Sequence, residues 1–487
     1  MQVLFTTIQD FHNDEDAKKF LSENLNLVLE KTVIQREILR KLRHFLLGLR
    51  QELVMVIETD YVDKVYRDSY YTYFSTKLKR YARNCIRVSF FEPTIQNESV
   101  FFSLDNKSIQ DAYRGFLVIR PLVKCIGRNA IDVKAKIQPN DSILIRKAEI
   151  PSSCLGVKLK VRAFPHASQD AELMTCAETT IWEMLEYFGR KYSSYNLVLP
   201  TDILKSIQSS SFERQIPSKG LRLEQISLAL QQQGFGCKIY QEVGNPKFKE
   251  LLTCYIESGI PLAVVMECGG ERHAVVCIGR PKINRKIINQ ETKGINKNYY
   301  FWNKNINKFV FNDDNCPCYE IRDYSEPANY LGKGKITHFI VPLYKKIYLP
   351  AEQAIDKSNF LIEREINAPE GSYIRTFLTS SRSYREYIKK NKSLTPNLKM
   401  ALLLRDLPKF FWITEITYNQ MDFINEKVNA IIVLDATGIT TADDPFLSLI
   451  FILGSGKLTI FNAEKHLFEN FLLTLPTIFD SFDGNLK

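Results

Sequence analysis

Residues 165–191 read PHASQDAELMTCAETTIWEMLEYFGRK, a loop that runs into a strong helix with a cysteine at its first position. Thr175 and Glu178 have the Thr-x-x-Glu spacing of a capping box, which puts Thr175 at the N-cap and Cys176 in the first turn. Ala177, Ile181, Met184, Leu185 and Phe188 then recur at helical spacing as one apolar stripe, and Gly189 fits the stop. A sulfur at a helix start faces unpaired backbone N–H groups and the positive end of the helix dipole, which favours a nucleophilic thiolate. Read alone, Cys176 is equally a small buried apolar residue, so its partners decide the matter.

A nucleophilic thiol needs a base, and the chain has six histidines, at 12, 44, 166, 273, 338 and 466. His273 opens the apolar run HAVVCIGR directly after Gly269-Gly270-Glu-Arg, so a tight turn and a strand would fix its ring at a sheet end. His338, in THFIVPLY, reads as a structural histidine, and His166, in the approach loop, is the weaker rival for the base. The run Phe309-Val-Phe-Asn312 leads into Asp313-Asp314-Asn315 and offers a carboxylate to orient the imidazole. Asp313 shares strand parity with Phe309 and Phe311 and is preferred over Asp314. Gln169 could supply a side-chain N–H to an oxyanion beside the Cys176 backbone N–H.

Gln169, Thr175-Cys176-Ala177, Gly220-Leu221, Ser258-Gly259-Ile-Pro261, His273-Ala-Val-Val-Cys-Ile-Gly279 and Phe309-Val-Phe-Asn-Asp313 together resemble papain-like cysteine peptidases. The branch most similar is that of the bacterial double-glycine leader peptidases. The resemblance covers about residues 155–345 and implies Cys176 as nucleophile, His273 as base, Asp313 as its orienting partner and Gln169 as oxyanion donor. It implies a peptidase fold with helices packed on an antiparallel sheet, a protein or peptide substrate, and no cofactor or metal. An acyltransferase or transglutaminase-like enzyme would use the same triad. A non-catalytic scaffold for peptide or nucleic acid is the third reading.

The rest of the chain sets bounds on these readings. With 487 residues the expected count is about three domains. We place them at 1–150 (helical, then mixed α+β), 151–350 (peptidase-like) and 351–487 (α/β), giving a multidomain α+β protein. The net charge of +10 divides as +5, +7 and −2 among them, modest for a dedicated nucleic-acid binder. Residues 280–308 hold eight basic residues against one acid, which reads as a basic hairpin or loop between two site strands. Helical spacing runs from Asp14 to about Ile57 and continues into the segment 61–85, where tyrosines alternate with Arg and Lys. That alternation fits a packed helical surface better than stacked bases. Strands are expected at 86–91, 100–104, 115–120, 157–164, 261–268, 273–280, 308–312, 336–343, 410–416 and 430–435. Helices are expected at 223–233 and 247–258. Gly454-Ser-Gly-Lys457 lacks the flanking residues of a phosphate loop and reads as the turn of a hairpin. Cys316-Pro-Cys318 has no second cysteine pair at zinc spacing. The N-terminus shows no secretory signal, the densest apolar run, 446–453, falls well short of a membrane span, and the ten cysteines sit mostly in apolar segments. A cytoplasmic location follows as the expectation, with the flanking regions able to recruit substrate or a regulatory protein partner.

Overall fold

The computed structural model of the protein describes residues 2–13, 15–24, 31–137, 143–208, 216–288, 299–328, 334–392, 394–438, 448–454, 457–462, 467–472 and 479–486. It is an α+β architecture built on three main sheets. The first is antiparallel, in the order Val3–Thr7, Val54–Tyr61, Cys85–Phe91, Tyr113–Ile119 and Ile126–Ile131. The second runs Glu320–Asp323, Lys308–Asn312, Glu271–Pro281, Leu262–Cys268, Lys335–Tyr344 and Phe235–Gln241. Ile143–Ile145 adds to it beside Gly279–Pro281. The third begins with Tyr300–Phe301 and continues through Tyr373–Ser380, Phe410–Thr417 and Ala430–Asp435 to the hairpin of Ser448–Gly454 and Lys457–Asn462 and the edge strand Leu467–Leu472.

The helix Cys176–Lys191 lies on the second sheet, burying Ala177, Ile181, Met184 and Leu185 in one core with Ala263, Ala274, Val276, Ile278 and Ile340. That core is continuous with Ile38, Leu42, Phe45 and Leu46 of the helix Lys31–Leu46 and with Met55, Ile57 and Val88 of the first sheet. The opposite face of the second sheet shares a core with the third: Val264, Val275, Phe309 and Phe339 pack with Ile374, Trp412 and Ile432. The second sheet is thus covered on both faces, and its strands read as near-continuous apolar runs for that reason.

Several elements differ from the expectations above. Residues 54–57 are strand rather than helix, because Leu53, Val54, Met55, Val56 and Ile57 are all buried, which a two-sided strand allows and an amphipathic surface helix does not. The expected strand at 100–104 is the short helix Glu98–Ser103, whose start is fixed by Asn97 Oδ1 accepting from Val100 N at 3.0 Å. Helix Cys176–Lys191 passes through Gly189, where a Cβ would stand 2.9 Å from the Asn196 carbonyl oxygen, so the glycine serves close packing instead of a stop. In the tyrosine-rich segment the helix covers only Lys64–Thr72, and Tyr66 and Phe74 are buried.

The basic stretch 280–308 joins two neighbouring antiparallel site strands, Glu271–Pro281 and Lys308–Asn312, as the expected loop does; 289–298 lies outside the described residues. Its Tyr300–Phe301 pairs in parallel with Tyr373 and Ile374 and so joins the third sheet. Arg280 is buried against Glu257, and Arg285 donates to the Phe423 carbonyl at 3.1 Å. Glu257 also accepts from Arg375 Nε and Nη2 at 2.9 and 2.7 Å, and Arg375 Nη1 reaches Glu415 Oε2 at 3.1 Å. Burial alone would raise the Glu257 pKa, but the two guanidinium groups hold it at about 2. Part of the positive charge read from the sequence here, that of Arg280, is therefore neutralised inside the protein, where Glu257 ties the second sheet to the third.

Candidate active site

Three chain segments meet at one end of the second sheet. The first is the loop before Cys176. Asp170 Oδ1 accepts from the backbone N–H groups of Glu172, Leu173 and Met174 at 3.0, 2.8 and 2.8 Å, curling the loop into the helix start. Thr175 is the N-cap, and Glu178 reaches back to accept from Thr175 N at 3.1 Å. Cys176, the first helical residue, is half-buried. The second segment is the His273 strand. Gly269 and Gly270, with φ of 59° and 90°, make the turn that only glycine adopts freely, and His273 follows within the strand Glu271–Pro281.

The third segment ends the strand Lys308–Asn312. Asn312 pairs with Val276 in antiparallel register, so continuing the ladder sets Asp313 opposite Val275, on the same face as His273 and diagonal to it. The contact is made: His273 Nε2 is 2.9 Å from Asp313 Oδ1. Asp314 Oδ1 is farther, at 3.5 Å. With Nε2 engaged by the carboxylate, Nδ1 is the ring atom left for the Cys176 thiol, whose influence is among the causes that raise the His273 pKa. The residues singled out as base and orienting acid are thus in direct contact, and Cys176 acts on the same ring. Gln169 lies beside them, its Nε2 donating to Asn315 Oδ1 at 3.2 Å.

The electrostatics follow from this packing. Burial works to lower the His273 pKa, but hydrogen bonds to Asp313 and Cys176, with the charges of Asp313 and Asp314, raise it to about 11. The imidazolium is therefore the favoured form across neutral pH. Burial, with Asp313 adding repulsion and His273 opposing, lifts the Asp314 carboxyl to about 7. Because the folded protein favours protonated His273, that stabilisation is complete below a free histidine's 6.5 and is lost as pH rises towards about 11. The urea midpoint of the wild type, measured relative to that of His273→Gln, is expected to fall between pH 8 and 10.5. A difference constant across that interval would mean that His273 gains no proton affinity on folding.

Further residues complete the site. Asp313 Oδ2 accepts from the buried Arg322 Nη1 at 2.9 Å, and Asn315 N donates to Asp313 Oδ1 at 3.0 Å. His166 is fully buried and does not serve as the base: its Nε2 meets the Asp313 carbonyl at 3.1 Å and its Nδ1 meets Asn129 Nδ2 at 2.9 Å. Burial lowers its pKa to about 4, so it is neutral and acts as a strut beneath Asp313. Glu183, deep in the helix, accepts from Ala167 N at 2.9 Å, and burial pushes its carboxyl well above the usual range. Arg120, from the end of a strand in the first sheet, places Nη2 2.9 Å from the Ser168 carbonyl and 3.1 Å from that of Gln169. Arg322 lies nine residues from Asp313 in the chain, whereas His166 and Arg120 reach Asp313 and Ser168 across 147 and 48 residues, and none left a local signature.

His273, Asp313 and Asp314 also bring donor atoms within 4.8 Å of one another, a spacing that suits a metal ion, but an ion there would have to displace the hydrogen bonds to Asp313 just described. At Cys316 and Cys318 burial pushes the thiols up to about 12 and about 11, away from the thiolate that zinc requires. His338 Nδ1 is 3.0 Å from Thr337 Oγ1 within the strand Lys335–Tyr344. No helix among the described residues is long and apolar enough to cross a membrane. No protein-family model matches the chain, and no curated protein matches it.

Proposed function

We propose that the protein is a papain-like cysteine peptidase whose triad is Cys176, His273 and Asp313. The observation that carries this reading is the His273 imidazole 2.9 Å from a buried carboxylate, with its proton affinity raised in part by a cysteine that begins a helix. The Cys176 sulfur attacks the substrate carbonyl carbon while its proton resides on His273. The oxygen, now negative, is met by the Cys176 backbone N–H and by the Gln169 amide once that amide turns from Asn315. As the C–N bond breaks, His273 gives its proton to the departing amine. It then takes one from the water that cleaves the thioester. Asp313 keeps the ring in register throughout.

Cys176→Ala is expected to abolish covalent labelling by an acyloxymethyl ketone probe, read by intact-protein mass spectrometry; labelling equal to wild type would remove Cys176 from the mechanism. Acyl transfer to an amine uses the same first step, and mass analysis of products from a peptide library with and without added amine separates hydrolysis from transfer.

A further inference from the structure

A cavity of about 320 Å³ opens beside the site, at the Asp314–Asn315 turn. Its walls bring together Arg40, Lys41 and His44 of the helix Lys31–Leu46, Lys124 from the turn after Tyr113–Ile119, and Asp314 and Asn315. Three cations thus line the cavity with one carboxylate, and the Glu37 carboxylate behind them pairs with two of the three. Arg40 and Lys41 also touch Glu37, at 2.8 and 3.5 Å, and Lys41 Nζ donates to the Val123 carbonyl at 3.1 Å, which holds both side chains at the rim. Lys124 Nζ rests on a neutral acceptor, Asn315 Oδ1, at 3.3 Å. The Asp314 Oδ2 atom is buried and has no hydrogen-bond partner among the described residues.

Such walls select a small anion by two criteria. Converging lysine and arginine donors call for an oxyanion. An acceptor left without a donor calls for a ligand that also carries an O–H, since an unmet buried acceptor is costly. Hydrogen phosphate meets both, whereas sulfate has no O–H to offer. We propose that this cavity is a binding site for hydrogen phosphate, held by Lys124, Lys41 and Arg40 and donating its O–H to Asp314.

The site is joined to the proposed chemistry. Lys124 Nζ and Gln169 Nε2 share one acceptor, Asn315 Oδ1, at 3.3 and 3.2 Å. Phosphate is a stronger acceptor for Lys124 than an amide oxygen, so a filled cavity draws Lys124 away and leaves Asn315 to hold Gln169 more firmly, out of reach of an oxyanion. Phosphate therefore acts as a brake. This second step rests on the reading of Gln169 as oxyanion donor; the binding site itself does not.

Calorimetric titration of the full chain with sodium phosphate at pH 8 is expected to give one saturable site. Lys124→Met and the rim variant Arg40→Gln should each weaken it by about tenfold or more, the usual worth of a charged hydrogen bond, and sulfate should bind at least about tenfold more weakly than phosphate. No saturable binding, equal binding of sulfate, or wild-type affinity in both variants would overturn the site. Circular dichroism of each variant confirms that the comparison is between folded proteins. Saturating phosphate should slow labelling by the ketone probe about threefold or more in the wild type and leave the Lys124→Met rate unaltered. An unchanged wild-type rate at saturation would overturn the brake but not the site, and retained labelling of Cys176→Ala would overturn the peptidase reading without touching the titration.

Discussion

Asp313→Ala is expected to do two things at once: to lower labelling of Cys176 by up to about 10⁴-fold, the loss known for a Ser-His-Asp triad whose Asp becomes Asn, and to destabilise the fold by about 3–5 kcal/mol. The two effects have different origins. Asp313 Oδ1 orients His273, while Oδ2 neutralises Arg322, a guanidinium only 6% exposed. Removing the carboxylate takes the Asp313 counter-charge from a buried arginine and keeps the Pro327 carbonyl at 2.9 Å. Breaking one side of a buried ion pair costs far more than replacing both partners by neutral groups. The double variant Asp313→Asn/Arg322→Met should therefore recover much of the urea midpoint and none of the labelling rate. Recovery of both together would mean that Asp313 acts only as a support for the fold.

The parts of this site that were legible in the sequence are those whose causes are local. Thr175 with Glu178 marks a helix start three residues apart, Gly269-Gly270 marks a turn, and Lys308–Asn312 is an apolar strand leading into two aspartates; each survives in the structure as read. Asp313 was preferred over Asp314 on strand parity, and the antiparallel register that sets it diagonal to His273 explains why that reasoning reached the nearer carboxylate. Where two local signals compete, the reading failed: Val100, Phe101 and Phe102 favour a strand by type, yet Asn97 caps a helix over them. Charge was misread for a different reason. Arg280 and Arg375 converge on Glu257 from positions 23 and 118 residues away, so the basic count between 280 and 308 gave no hint that part of it is neutralised inside. His166 and Arg120 belong to the same class: each supports the site through a contact with a partner 147 or 48 residues away, beyond any window of sequence.

Arg120 offers the sharpest test of that long-range support. Its Nη2 lies 2.9 to 3.1 Å from the carbonyls of Lys124, Ile126, Ser168 and Gln169, so one buried guanidinium pins the backbone of the proposed oxyanion donor to the first sheet. The stem is given room by Gly127, where a Cβ would stand 3.0 Å from Arg120 Cγ and 2.9 Å from the Val118 carbonyl oxygen. Arg120→Met keeps the apolar stem but strands buried carbonyls, an expected cost of about 2–4 kcal/mol in urea unfolding. The chemical effect is separable from that cost because two thiol reagents pass through different transition states. A ketone probe develops an oxyanion on attack, whereas iodoacetamide is displaced at carbon and develops none. Loss of an oxyanion donor is worth about 10²–10³-fold, so labelling of Arg120→Met by the ketone should fall towards that range while iodoacetamide alkylation of Cys176 falls far less. Equal losses with both reagents would place the effect of Arg120 on the fold or on Cys176 itself, and would remove the Ser168–Gln169 backbone from the account of how the oxyanion is met.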